Sequence, residues 1–178
     1  GFVGQRVCFR APMVGNFGVA DGRLESGRPW VNAVLMRHCG GEEWASWLAS
    51  QGIVALDGLD TRALVVHIRD AGAMRAAAVA DAAVLPVAEA LKQVRGQPPM
   101  EGQALVSAVS RVEPTVFNED GRTRVAVVDY GAKTSIMRRL RQAGAAVTVF
   151  PHAADPDDLA GFDGVLLSNG PGDPEPLQ

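Results

Sequence analysis

From Arg124 to Leu167 the apolar residues switch between a strand period and a helix period and back again, and that alternation leaves few folds open. Residues 124–129, Arg-Val-Ala-Val-Val-Asp, form the valine run of a strand buried on both faces of a parallel sheet. Tyr130-Gly131-Ala132-Lys133 follows, then a helix with Ile136, Met137, Leu140 and Ala143 on one face and Gly144 as its stop. Residues 146–150 read as a second strand, 155–160 as a short helical turn and 164–167 as a third strand. This βαβαβ order predicts an α/β fold with an open parallel sheet, whose binding loops belong at the carboxyl ends of the strands.

The third strand runs directly into Ser168-Asn169-Gly170-Pro171-Gly172-Asp173-Pro174. Gly170 and Gly172 remove side chains that would block a ligand, while Pro171 and Pro174 fix φ and hold the neighbouring amides in place. Bare amides at a strand end suit an oxyanion. A tight strand-to-helix connection with no ligand is the plainer alternative. Neither this turn nor Asp129-Tyr130-Gly131-Ala132 completes a G-x-G-x-x-G entering a helix, which disfavours a dinucleotide site.

The first half is built differently. Residues 6–9 form a short strand, followed by the turn Pro12-Met13-Val14-Gly15-Asn16-Phe17-Gly18. Residues 31–36 read as a strand and Glu42–Ser50 as a helix with Trp44, Trp47 and Leu48 on its core face, stopped by Gly52. Residues 53–56 predict a short buried strand. Asp60 or Thr61 caps a helix with Leu64, His67 and Ile68 on one stripe and Gly72 at its end, so His67 is expected to be packed and neutral. Residues 74–80 suggest another strand, and Pro86 opens a helix that Gly96 stops. From about residue 97 to 124, Pro98-Pro99, Glu113-Pro114 and Asn118-Glu119-Asp120-Gly121 read as a partly ordered linker. The expected domains are 1–120, linker included, and 121–178.

Chemistry is scarce outside the glycine turn. Cys8 and Cys39 are too few for a disulfide framework and lack metal-ligand spacing, so both are expected to be buried thiols and no metal site is assigned. No nucleophile adjoins His152. Lys133, Arg138, Arg139 and Arg141 form a basic stripe, either a solvated helix face or a docking surface for an acidic partner. A net charge of -3 provides no positive field for nucleic acid or anionic lipid. With no span-length apolar run and no signal-peptide pattern, the expected location is the cytoplasm.

Four motifs in order resemble the carbamoyl-phosphate synthase small-subunit family. They are Gly4-Gln5 leading to Pro12-Met13-Val14-Gly15-Asn16, then Gly58-Leu59-Asp60-Thr61-Arg62-Ala63-Leu64 with Arg69-Asp70-Ala71-Gly72-Ala73-Met74, Asp129-Tyr130-Gly131-Ala132-Lys133, and the turn from Leu167 to Pro174. The likeness is weakest over residues 17–42. It implies an amino-terminal mixed β/α domain followed by the start of a class I glutamine amidotransferase domain. It further implies a glutaminase that passes ammonia to a large subunit, which uses ATP, magnesium and bicarbonate to make carbamoyl phosphate for arginine and pyrimidine synthesis. No cofactor is implied in this subunit.

By the same resemblance, the backbone at Gly170 supports the oxyanion and Gly172 contacts bound glutamine. The family's cysteine, histidine and glutamate are expected beyond residue 178, so these residues alone are expected to be inactive and to be an interior piece of the protein. The family's glutamine-contacting serine aligns with Gly1, which has no hydroxyl to offer. A different class I amidotransferase, such as the glutaminase of an anthranilate or guanylate synthase, shares the glycine turn but not the Asp60-Thr61-Arg62 domain. A regulatory subunit without glutaminase chemistry is the other alternative. A sheet of three parallel strands with an open edge and face predicts marginal stability and association.

Overall fold

A computed structural model of the chain describes residues 3–81 and 83–177. Among these, Leu24–Gly27 and the residues from Met100 onward form one compact unit, and the remaining residues up to Pro99 form the other.

In the amino-terminal unit, β1 (Arg6–Cys8), β2 (Ala33–Leu35) and β3 (Val54–Leu56) form a parallel sheet in that order, with Val7 opposite Val34 and Val34 opposite Ala55. The helix α1 (Glu42–Ser50) lies between β2 and β3 in sequence and buries Leu48 with Val34, Met36 and Ile53. Trp44 and Trp47 pack on the same cluster, their rings stacked at 5.3 Å. The expected strand at 53–56 is shorter and less buried: Ile53 enters the core, but β3 itself is an edge strand and half-exposed.

Asp60, not Thr61, caps α2 (Thr61–Ala71), accepting the Ala63 N–H at 3.0 Å. Thr61 is buried instead. The half-buried positions of α2 are Leu64, Val65 and Ile68, one helical stripe with Thr61. His67 lies to the side of that stripe and is exposed, so the expected packed imidazole is wrong. Residues 74–80 form no strand either. The Ala76 carbonyl accepts from Gln97 Nε2, and the Arg75 guanidinium holds the carbonyls of Arg95 and Gln97 at the end of α3 (Val87–Gly96).

In the second unit, β4 (Thr115–Asn118), β5 (Thr123–Asp129), β6 (Ala145–Pro151) and β7 (Gly164–Leu167) form a sheet in the order β4-β6-β5-β7. β5, β6 and β7 are parallel, as the periodicity requires, with Val127 facing Val149 on one side and Leu166 on the other. The helix α4 (Thr134–Gln142) covers one face, burying Met137 against Val127, Val147 and Val149. Ala143, expected on that face, is the exposed residue that ends the helix. The one-turn α5 (Pro156–Leu159) is capped by Asp155. On the opposite face Val165 and Leu167 of β7 are 49% and 65% exposed.

The stretch expected as a partly ordered linker, from about residue 97 to 124, contains the 3-10 turn Val106–Ala108 and β4. Val106 is buried, and β4 pairs antiparallel with β6, making the sheet mixed at that edge. These contacts move the division between units from the expected position near 120 to Pro99/Met100. None of the described helices is long and apolar enough to cross a membrane.

Candidate functional site

The carboxyl ends of β5 and β7 are tied together before the glycine turn begins. Ser168 continues the parallel ladder by donating its N–H to the Val128 carbonyl at 3.1 Å. Its buried hydroxyl accepts the Tyr130 N–H at 3.0 Å and donates to the Asn169 carbonyl at 3.1 Å. One side chain therefore spans both loops.

Asp129, the last residue of β5, is 6% exposed. Its Oδ1 accepts the N–H groups of Gly131 at 2.9 Å and Ala132 at 2.8 Å. Its Oδ2 accepts the Arg111 N–H at 3.2 Å and faces Arg111 Nε at 3.5 Å. A carboxylate this buried is tolerated because every lone-pair direction used meets a donor.

The turn itself alternates exposed and buried residues: Gly170 and Gly172 are exposed and Pro171 is buried between them. Gly172 has φ +79°, and a β-carbon there would sit 3.2 Å from the Gln103 carbonyl oxygen. At Gly170 a β-carbon would run into the Tyr130 carbonyl and lie 3.0 Å from the Tyr130 Cβ. Among the described residues neither glycine's N–H donates to a protein acceptor. Beyond the turn, Asp173 accepts the N–H groups of Glu175 at 3.0 Å and Gly102 at 3.1 Å, and these two bonds, in that order, hold its carboxyl below the usual range. Two amides are thus left for a ligand in a turn fastened on both sides.

The other residues marked by the sequence do not gather here. Cys8 and Cys39 belong to the amino-terminal unit and are half-buried rather than buried. Burial pushes the Cys8 thiol up, away from the thiolate a nucleophile needs. Cys39 Sγ lies 3.5 Å from the Gly41 carbonyl. His152 follows β6, its N–H donating to Ser110 Oγ at 2.9 Å and its Nδ1 buried without a partner among the described residues. Lys133, Arg139 and Arg141 are exposed, but Arg138 is half-buried and donates to the Leu24 carbonyl at 3.1 Å, so the basic stripe is broken. No group of three or more His, Cys, Asp or Glu fit to hold a metal occurs among the described residues. Gly1 lies outside the described residues.

Residues 1–78 match the family "Carbamoyl-phosphate synthase small chain, CPSase domain", and residues 126–178 match "Glutamine amidotransferase class-I". The carbamoyl phosphate synthase small chain of Halobacterium salinarum is 40% identical over 172 residues, covering 96% of this chain and 48% of the relative. That of Maricaulis maris is 38% identical over 201 residues, covering 97% and 52%. The chain is similar to carbamoyl phosphate synthase small chains across nearly its whole length. It spans about half the length of the small chains it matches. The match over residues 1–78 is to the small chain itself, and the class I amidotransferase match starts within β5 and takes in the whole glycine turn.

Asp129 and Ser168 were within the small-chain motifs but carried no assigned role from sequence. Asp129 had a readable signal, since an aspartate side chain in a turn commonly accepts the backbone N–H two residues on. Arg111 and Gly102 had none, because their partners are remote in the chain.

Proposed function

We propose that this chain is part of the glutamine-hydrolysing small subunit of a carbamoyl-phosphate synthase and that glutamine binds at the Gly170–Gly172 turn. The observation that carries this reading is the pair of exposed, unspent amides at the carboxyl end of a parallel sheet, in a chain similar to these small chains. In the reaction a thiolate attacks the glutamine carboxamide carbon, and the carbonyl oxygen becomes an oxyanion. The Gly170 N–H donates to that oxygen, while Gly172 contacts the rest of the glutamine. The C–N bond then breaks, ammonia leaves, and water releases glutamate from the thioester. The proposal assigns the cysteine, histidine and glutamate to the complete polypeptide, carboxyl-terminal to the turn.

Ammonia passes to a large subunit in the cytoplasm, where ATP, magnesium and bicarbonate are used to form carbamoyl phosphate for arginine and pyrimidine synthesis. No cofactor is assigned to this chain. The test is glutamate release from glutamine by the complete gene product, with and without the large subunit. The expected result is hydrolysis that rises on pairing and supports carbamoyl phosphate formation. A pair that makes carbamoyl phosphate from ammonia but releases no glutamate overturns the glutaminase assignment and favours a regulatory role.

A further inference from the structure

We infer that Asp129 is the positioning residue of the glycine turn, acting through the Tyr130–Ala132 backbone on Gly170. The inference rests on reading that turn as the oxyanion site. Asp129 does not itself reach the turn; its effect is relayed by three contacts.

Oδ1 binds the amides of Gly131 and Ala132 together, which fixes the path of the chain immediately after β5. Gly131 takes φ +119°, a conformation that an ordinary side chain resists and that these two bonds help to hold. In this position Gly131 is packed on the turn: a β-carbon added there would lie 3.4 Å from Pro171 Cδ and 3.8 Å from Gly170 Cα. The preceding residue makes the second connection, since the Tyr130 carbonyl closes over Gly170 so tightly that only glycine fits. The third is the Tyr130 N–H held by Ser168 Oγ, one residue before Asn169.

The Tyr130–Gly131 segment is therefore a wall against which Gly170 and Pro171 rest, and Asp129 sets where the wall stands. On the other side Oδ2 is engaged by Arg111 N–H and Nε, which stops the carboxylate from rotating away from Gly131. Oxyanion donors work only when aimed at the oxygen before charge develops, and a displacement of about 1 Å costs on the order of 10²-fold in rate. Asp129 is thus expected to influence turnover more than substrate affinity.

The test uses the complete gene product with its large subunit for kinetics, and the glycine-15N-labelled complete gene product for relaxation at Gly170. Asp129→Ala is expected to lower kcat for glutamate release about 10- to 100-fold, with KM changed less than about threefold. It is also expected to lower the Gly170 amide order parameter from about 0.85 toward about 0.6. Asp129→Asn, which keeps an acceptor for Gly131 and Ala132, should retain more kcat than Asp129→Ala. Leu140→Ala, in the last turn of α4 and so toward the opposite end of the sheet, controls for lost stability and should leave kcat near the parent value. If Asp129→Ala does not fold, Ser168→Ala tests the same wall through Tyr130 and should also loosen Gly170. An unchanged Gly170 order parameter in a folded variant overturns the inference, whatever happens to activity. A loosened Gly170 in a protein that hydrolyses no glutamine upholds the positioning role and overturns the proposed function instead.

Discussion

The Glu25 carboxylate accepts the backbone N–H of Ser135 at 2.9 Å, although the two residues lie 110 positions apart in sequence. The Glu25 carbonyl takes the Thr134 N–H as well, at 2.9 Å, and the Leu24 carbonyl receives the Arg138 guanidinium. Glu25 thereby caps the first turn of α4, and the short stretch that carries it, Leu24–Gly27, belongs to the same compact unit as that helix. No side chain within α4 or at Lys133 supplies that cap. An unmet helix amino terminus attracts such a carboxylate through both its free N–H groups and its dipole.

This contact predicts a pH-dependent loss on substitution. The Ser135 backbone bond, then its side chain, lowers the Glu25 carboxyl from its ordinary range, with Arg138 and Lys133 adding charge attraction. A depressed carboxyl contributes stability that is present above its unfolded-state value of about 4.3 and is lost as pH falls through the lower folded value. Glu25→Gln should therefore melt below the parent at pH 7, by an amount equivalent to a few tenths to about 1 kcal/mol, reduced by salt because the group is exposed. Thermal unfolding as a function of pH would find the two proteins converging in acid. An equal gap at pH 3 and pH 7 would show that the charge is irrelevant.

Sequence periodicity located α1, β5, α4, β6 and β7 well because each carries its own pattern: a valine run, or an apolar stripe closed by glycine. β4 and residues 74–80 were misjudged for one shared reason. Whether a short β-prone segment becomes a strand depends on a partner, which β4 finds in β6 and residues 74–80 do not find. In the turn after β7, the structural need for Gly170 and Gly172 was legible because a turn needs glycine at specific places. The Glu25, Arg111 and Gly102 contacts were not, since nothing local in a sequence announces a hydrogen bond to a residue 71 or 110 positions away.

Met137 is 2% exposed and joins α4 to the sheet through Val127, Val147 and Val149. Met137→Ala leaves a cavity at the center of that cluster and should cost about 2–5 kcal/mol. Chemical denaturation would report it as a lower midpoint with an unchanged slope. A loss under about 0.5 kcal/mol, the scale of a surface change, would mean that α4 is not packed as described.

At the start of α2 the sequence offered two caps, and the structure chooses between them. Asp60 accepts the Ala63 N–H, whereas Thr61 is buried inside the first turn. Asp60→Ala should cost about 1 kcal/mol, with Asp60→Ser recovering most of it, because serine also caps and alanine does not. Equal melting temperatures for the alanine and serine variants would remove the cap from the account.

Gly170 and Gly172 are both exposed, yet the two glycines are required for different reasons. Gly170 has no room: a β-carbon would press on the Tyr130 carbonyl. Gly172 has some room, with its nearest neighbours at 3.2 and 3.3 Å, but its φ of +79° is one that alanine resists. Gly170→Ala should therefore push the turn away from Tyr130 and reduce glutamate release by the complete polypeptide about 10²-fold, comparable to removing one oxyanion donor. Gly172→Ala keeps the turn near its place at a cost of about 1–2 kcal/mol in strain and should raise the KM for glutamine more than it lowers kcat. Steady-state kinetics of the two variants separates these effects. Identical losses in kcat and KM for both would show that the turn responds as one strained unit and not as a donor beside a substrate contact.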